Sequence, residues 1–594
     1  MPGPQIESQK ANDFGKVMKR LVRELKPFYP AAIVGTLFAV IGSIVAIVVP
    51  NKLSDLTNEI SNGLFSSLNF DVISSIAITV ASLEIASLIS EIIEGFLMTD
   101  VANNFARELR KRISVKINKL PLRFFDKNQT GDMLSRVTND VDLISQTLTQ
   151  SLSTLVASVS MFIGVVIMMF VTNGIMAATA IASGLFGFVF VAIVLKKSQK
   201  YFAARQKQLG KLNAHIEEIY SGLNVVKAYN GFKETNPKFD ELNHKVYDAN
   251  RKSQFLSGLM QPMMGFVGNF GYVAVCVVGA VLVSENMITF GSIIAFIIYV
   301  RMFTSPLSQI AQALTYLQSS AAAAERVFEF LDEKEMSGQK EITKVLKKDE
   351  VKGEIEFRNV KFGYEPDRMI IKNFSAIAKP GQKVAIVGPT GAGKTTMVNL
   401  LMKFYDVNSG EILIDGVPIS ELTRENVHSL FTMVLQDTWL FAGTIKENII
   451  YNREHATKAE VLAACDAVGL THFIKTLPKG INTDITEEND SISSGQRQLI
   501  TIARGMLENT PFLILDEATS NVDTRTEELV QKAMDKLMKG RTSFIIAHRL
   551  STIKNADLIL VMKDGNIIES GKHDELIKAG GFYAELYNSQ FQLT

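Results

Sequence analysis

Residues 388–396 read GPTGAGKTT. Glycines, a lysine and two adjacent threonines at this spacing form the G-x-x-x-x-G-K-[ST] pattern. Its backbone N–H groups cradle phosphate, its lysine (Lys394) reaches the β/γ oxygens, and its first hydroxyl (Thr395) binds Mg²⁺. The cradle is Gly388, Pro389, Thr390, Gly391, Ala392 and Gly393, continued by Thr396. A second stretch, FLILDEATS at 512–520, places Asp516 and Glu517 at the end of an apolar run. A carboxylate there suits Mg²⁺, and the glutamate beside it is placed to polarise an attacking water. A third stretch, SISSGQRQLI at 491–500, has no carboxylate, histidine or cysteine. Ser493-x-x-Gln496 fits a capping box, Gly495 allows close backbone approach, and Leu499, Ile502, Ala503 and Met506 follow at helical spacing. A helix start with free N–H groups and a hydroxyl is an anion site, although alone the pattern reads as a plain cap. Taken singly, His548, Gln436 and Tyr364 are as open to a structural role as to a functional one.

These residues need a scaffold. KVAIV at 383–387 reads as a buried strand feeding the glycine loop, and MVNLLMKF after it reads as a helix. Ile355, Phe357, Val360 and Phe362 alternate much as a strand would. Residues 352–594 therefore read as one α/β domain, reached through a charged linker at 331–351. The first half is different. A span needs roughly 20 mainly apolar residues. Six stretches qualify, at about 30–50, 72–98, 152–171, 175–195, 259–283 and 293–313, within a membrane domain of 29–330. The second and sixth carry charges and are weaker on hydropathy alone, which leaves four or five spans as the competing count. Residues 1–28 hold a basic amphipathic helix, with Phe14, Val17, Met18, Leu21, Val22 and Leu25 on one side, suited to a membrane surface.

Charge distribution orients the spans. The loops at 101–150 and 196–252 are rich in lysine and arginine, and the other connections are poor. Basic loops stay on the cytoplasmic side, so both long loops and both termini are expected inside. The loops are too long for turns and read as helices running on into the cytoplasm. Glu84, Glu91 and Glu94 share one broad helical face of the second span, and Arg301 sits in the sixth. Intramembrane charge faces a bundle interior or a wet cavity. A structural Glu–Arg pair, or glutamates already at the cytoplasmic end, is one reading, and Glu84 lining a translocation path is the other. Over the whole chain 62 basic residues nearly balance 61 acidic ones, so net charge gives no nucleic-acid affinity. Two cysteines, Cys276 and Cys465, form no CxxC pair, and a reduced compartment is the simpler reading.

In order, GPTGAGKTT, LQDTWLF, ISSGQRQ, LILDEATSNVD and AHR resemble the ATP-binding cassette family over about 352–594. RFFDKNQTGDMLSRVTNDVD, LGKLNAHIEEIYSGLNVVKAY and ITFGSIIAFIIYVRMFTSPL look like its exporter branch, which fuses six spans to one cassette. The overall likeness is to bacterial multidrug-type half-transporters. The resemblance implies an all-α six-helix membrane domain joined to an α/β cassette with an antiparallel β subdomain and a helical subdomain, in the bacterial plasma membrane. It implies ATP and Mg²⁺ as cofactors. Tyr364 matches the adenine-stacking aromatic. Gln436 matches the glutamine touching Mg²⁺ and water, and His548 the γ-phosphate histidine. Asp523 matches the loop at the dimer seam, and Ser493, Gly495 and Gln496 the signature that grips the γ-phosphate held by a second cassette. Short coupling helices are expected near 125–130 and 217–224. The family's usual signature is LSGGQ; here Ser494 replaces a glycine, and Asn489 stands where a glycine often precedes it.

With Glu517, Gln436 and His548 intact, that departure resembles the hydrolysis-competent member of a heterodimeric exporter, whose partner half-transporter would carry the weakened site. A homodimer is the alternative. The expected activity is ATP-driven export of small amphipathic or drug-like substrates from the bilayer. An ATP-gated channel, a non-transporting sensor and a lipid or peptide exporter share the same cassette motifs. A soluble cassette acting on nucleic acid is excluded by the fused spans.

Overall fold

Apolar periodicity and glycine placement set two separate folding problems, and the computed structural model solves them in two units. It describes residues 13–63, 68–128, 130–336, 342, 344–365, 367–435, 438–453, 455–485, 492–516, 524–547 and 550–591. One unit comprises 1–118 with 130–333, the other 119–129 with 334–594.

In the first unit, six helices among the described residues are long and apolar enough to cross a membrane: Lys26–Gly63, Phe70–Ile117, Thr130–Thr172, Gly174–Ser221, Gly265–Ser284 and Phe290–Asp332. In hydrocarbon every backbone N–H and C=O must be satisfied within the segment, which only a helix or a closed barrel achieves. Several helices run well past their apolar stretch, as the long basic loops suggest; Phe70–Ile117 and Gly174–Ser221 each hold 48 residues. Small residues let the helices approach. The Ser43 hydroxyl donates to the Ala157 carbonyl at 3.3 Å, and that of Ser87 to the Gly42 carbonyl at 3.2 Å. A Cβ on Gly291 would lie 2.2 Å from the Ser54 carbonyl oxygen. There the Gly291 N–H donates to Asn58 Oδ1 at 2.7 Å, fixing the sixth helix against the first. Ile47, Val165, Met169, Val275, Phe296 and Tyr299 form the apolar centre.

The N-terminal helix Phe14–Glu24 is capped by Asp13, which accepts from the Lys16 N–H at 3.0 Å. Its apolar stripe divides. Val17, Leu21 and Leu25 are buried, while Phe14 and Val22 are exposed. Arg20 lies 4.3 Å from the ring centre of Phe328 and donates to Asp332 at 2.8 Å, while Arg112 donates to Glu24 at 2.7 Å. Part of the face expected to meet lipid therefore packs on the chain itself. The expected Glu–Arg pair does not form: among the described residues no ion pair joins Glu84, Glu91 or Glu94 to Arg301.

The second unit is built on a sheet. Its strands are β1 Ile355–Phe362, β2 Ile371–Ala378, β3 Lys383–Val387, β4 Ser409–Ile414, β5 Val417–Pro418, β6 Phe431–Val434, β7 Gly443–Thr444, β8 Asp484–Ile485, β9 Phe512–Asp516, β10 Thr542–Ile546, β11 Leu558–Lys563 and β12 Asn566–Gly571. The described sheet runs β5-β4-β1-β2-β12-β11-β3-β10-β9-β6, with β7 and β8 paired apart. Strands β11, β3, β10, β9 and β6 are parallel, while β1, β2, β4 and β5 form an antiparallel wing. The break in the β1 alternation, from Phe357 to Val360, is a bulge where Asn359 takes φ +46°.

The parallel strands are buried on both faces. From β3, Val384 and Ile386 enter one core with Ala392, Met397 and Val398; Ala385 and Val387 enter the other with Leu499, Ile502 and Ala503. The wing is fastened by a two-residue hairpin turn, Asp415-Gly416, at φ +48° and +80°. The Asp415 carboxylate accepts from the N–H groups of Lys352, Gly353 and Glu354 at 2.6, 3.1 and 2.8 Å. Asp415→Ala is therefore expected to destabilise this unit by about 2 kcal/mol. A lowered first thermal transition in the purified full chain checks this, and Asp415→Asn, which keeps an acceptor, should lose less.

Candidate functional site

Strand β3 ends at Val387 and the chain turns through Gly388–Gly393 into the helix Lys394–Leu401. Gly391 and Gly393 hold φ of +84° and +102°. These conformations point successive N–H groups inward and disfavour any residue with a Cβ. Gly388 is constrained by space: a Cβ there would lie 2.2 Å from the Met562 carbonyl oxygen on β11. The Lys394 ammonium reaches back over the loop, donating to the Gly388 and Pro389 carbonyls at 2.7 and 3.1 Å. Burial pulls it below the usual lysine range, and the nearby Asp516 carboxylate opposes that shift. Strand register explains the proximity. Asp516 pairs with Ile546, and Ile546 with Ile386, so Asp516 stands level with the end of β3. Thr395 is exposed and Thr396 is buried.

The Tyr364 hydroxyl donates to Thr396 Oγ1 at 3.4 Å and accepts from Asn399 Nδ2 at 3.3 Å. These bonds hold the half-buried ring against the first turns of the phosphate-loop helix. Its edges meet Phe362 and Tyr405, each with centroids 5.0 Å away. The Tyr405 hydroxyl in turn donates to Asp126, in the short helix Leu122–Lys127. This helix precedes the third span in sequence yet belongs to the second unit. The segment near 125–130, where the resemblance implies a short coupling helix, holds the end of the helix Leu122–Lys127. Tyr405 and Asp126 were not predicted from the sequence, because nothing in either motif signals the pair. Near 217–224 the Gly174–Ser221 helix ends, Gly222 breaks it, and Leu223–Ala228 follows within the first unit.

The third motif opens the helix Ser494–Glu508. Ser493 is its N-cap: its Oγ accepts from the Gln496 N–H at 3.3 Å, and the Gln496 side-chain oxygen accepts from the Ser493 N–H at 3.0 Å. Gly495 is buried, while Ser493 and Ser494 are exposed. Leu499, Ile502 and Ala503 bury the helix in the core opposite the one that holds the phosphate-loop helix. Glu517, Gln436, His548, Asp523 and Asn489 lie outside the described residues.

The first unit contains a cavity of about 310 Å³ among its first, second, third and sixth helices. Glu91, Glu94, Ser158 and Gln309 give it polar walls, and Met161 and Met302 apolar ones. Glu94 Oε1 is buried with no hydrogen-bond partner among the described residues. The Ser158 hydroxyl donates to Gln309 Oε1 at 2.7 Å. Glu84 is exposed and does not line this cavity.

The family described as "ABC transporter transmembrane region" matches residues 32–307, and "ABC transporter" matches 371–520. A fatty acid ABC transporter ATP-binding/permease protein of Mycobacterium bovis is 41% identical over 622 residues, covering 98% of either chain. An ATP-dependent lipid A-core flippase of Syntrophus aciditrophicus is 32% identical over 582 residues, covering 97% of this chain and 95% of that protein. The solved structure of a bacterial Atm1-family ABC exporter with ATP bound matches with a TM-score of 0.74 at 26% identity, covering 96% of this chain and 98% of that one. The chain belongs to the ABC transporter family, with transmembrane and ATP-binding domains fused in one polypeptide of the exporter type. It is an ATPase coupled to transport, and such exporters work as dimers in a membrane.

The two loop glycines with the clearest geometry should behave differently. Gly388→Ala forces backbone against backbone and is expected to weaken ATP binding at least about tenfold. Gly391, with open space around it, has only φ strain to bear, so Gly391→Ala should cost about 1 kcal/mol. Titration of the purified chain with a fluorescent ATP analogue separates the two.

Proposed function

We propose that this chain is the hydrolysis-competent half of a two-chain exporter that moves amphipathic, drug-like substrates outward by alternating access. The observation that carries the reading is the position of the capped Ser494–Glu508 helix. Its start presents Ser493 and Ser494 at the surface, yet the helix packs in the layer opposite the phosphate-loop helix. A second cassette is the natural supplier of the missing half of each site. In this reading Lys394 and the loop amides hold the phosphates, and Thr395, Asp516 and Gln436 hold Mg²⁺. Tyr364 stacks on the base, Glu517 polarises water, and His548 contacts the γ-phosphate. Asp523 lies at the seam, and the partner's signature closes the site.

The choice of two different chains rests on Ser494. It adds a side chain at the exposed first turn, where close approach to a nucleotide favours glycine. The site that this chain's signature completes is then the slower one, and its own Glu517 serves the faster. The lysine- and arginine-rich loops support a cytoplasmic position for both termini. The names of the two relatives favour a second reading of the cargo, an acyl-chain lipid, which is also amphipathic.

Glu517→Gln should leave ATP binding intact, accumulate closed dimers and lower steady-state hydrolysis at least about 100-fold. Near-normal turnover would remove Glu517 from its role. In proteoliposomes the wild type should concentrate a cationic amphiphilic dye uphill only with ATP. Passive conductance alone would instead indicate a gated channel, and flipping of a fluorescent fatty acid without dye movement would indicate the lipid reading. Purification from the native membrane should bring down a second half-transporter. A dimer of this chain alone, hydrolysing ATP at both sites, would overturn the heterodimer.

A further inference from the structure

A second cavity in the first unit, about 530 Å³, is lined by Lys196, Lys197, Lys200, Tyr201, Lys252, Phe255 and Leu256. It lies between the Gly174–Ser221 helix and the end of Phe232–Gly258. Four ammonium groups share it, no carboxylate lines it, and none of the four lysines makes an ion pair among the described residues. Basic side chains in proteins are commonly offset by nearby acids, and four together without one repel each other. An anion from outside the chain is what this arrangement would bind most strongly.

The position selects the kind of anion. Residues 196–201 follow directly on the apolar run 175–195, and 252–256 directly precede the apolar run 259–283. Both walls therefore stand where spans leave the hydrocarbon, at the depth of lipid headgroups, on the lysine-rich side. Apolar side chains continue from the cavity toward the spans: Phe255 is 67% exposed, Ile193 53% and Val189 62%. A soluble anion would use only the lysines. A lipid would use both, with its phosphate among the ammonium groups and its acyl chains along these exposed side chains.

We propose that this cavity is a binding site for the phosphate headgroup of an anionic phospholipid, separate from the nucleotide site. Tyr201 offers a further hydroxyl beside the phosphate. The site is a property of the folded chain and stands whatever substrate is exported.

The test uses the full chain with its partner subunit, purified in detergent. Retained phosphatidylglycerol and phosphatidylcholine are measured by intact-complex mass spectrometry. The wild type should retain phosphatidylglycerol preferentially. The combined variant Lys196→Gln, Lys197→Gln, Lys200→Gln, Lys252→Gln should lose that preference at least about tenfold, and the corresponding arginine variant should keep it. Basal ATP hydrolysis reports folding, since none of these residues belongs to the nucleotide site. Unchanged phosphatidylglycerol retention in the glutamine variant would overturn the proposal. So would displacement of the lipid by inorganic phosphate at matched phosphate concentration, which would assign the lysines to a free anion. If the glutamine variant does not fold, photoactivatable phosphatidylglycerol applied to the wild type decides. Labelled peptides containing 196–201 or 252–256 support the site, and labelling confined to other segments overturns it.

Discussion

The cassette depends on one constraint: its central strands are covered on both faces. Along β3 the side chains alternate, so Val384 and Ile386 must be matched by one layer and Ala385 and Val387 by another. The phosphate-loop helix supplies the first layer and the Ser494–Glu508 helix joins the second. Each sets its helix start where its own apolar face requires. Because the sheet lies between the two helices, the same burial that stabilises the fold keeps the two starts in different layers. That separation is the ground on which a second cassette is proposed to complete each site.

The membrane unit obeys a different rule. With backbone groups satisfied inside each helix, specificity comes from how closely helices approach and which polar groups meet. Glycine and serine do most of this. Gly291 lets the sixth helix touch the Ser54 carbonyl, Ser87 and Ser158 spend their hydroxyls on neighbouring helices, and Ser43 shares its own between the Ala39 carbonyl of its helix and that of Ala157 on the third. The segment between the second and third spans breaks the pattern. Its Leu122–Lys127 helix belongs with the cassette, where Asp126 accepts from Tyr405 beside Tyr364. A proposed base-stacking ring and a segment covalently joined to two spans are therefore one residue apart.

What the sequence revealed, and what it hid, follows from the range of the interactions. The phosphate loop was legible because glycine spacing, a preceding strand and a following helix are all local. So was the capping box, since Ser493 and Gln496 satisfy each other across one turn. The β1 alternation was legible apart from its bulge, which needs Asn359 in the left-handed region, a choice that pattern alone does not announce. Long-range pairs were hidden. Tyr405 and Asp126 are separated by 279 positions, and no periodicity connects them. The intramembrane charges were visible as charges, but their surroundings were not. Glu91 and Glu94 share a cavity with Gln309 and Ser158, whereas Glu84, weighed for the transport path, is exposed and does not line it.

That separation bears on cargo. The cavity among the first, second, third and sixth helices carries two carboxylates and no lining cation. An ionised Glu91 or Glu94 would repel an anionic headgroup in a poorly screened place. A cation or a neutral amphiphile meets no such barrier. The lysines without an ion pair among the described residues are at the ends of the fourth and fifth spans instead, where charge stays near water. If the acidic cavity lies on the transport route, the unit sorts amphiphiles by sign, holding anionic lipid at its rim and admitting neutral or cationic molecules to its interior.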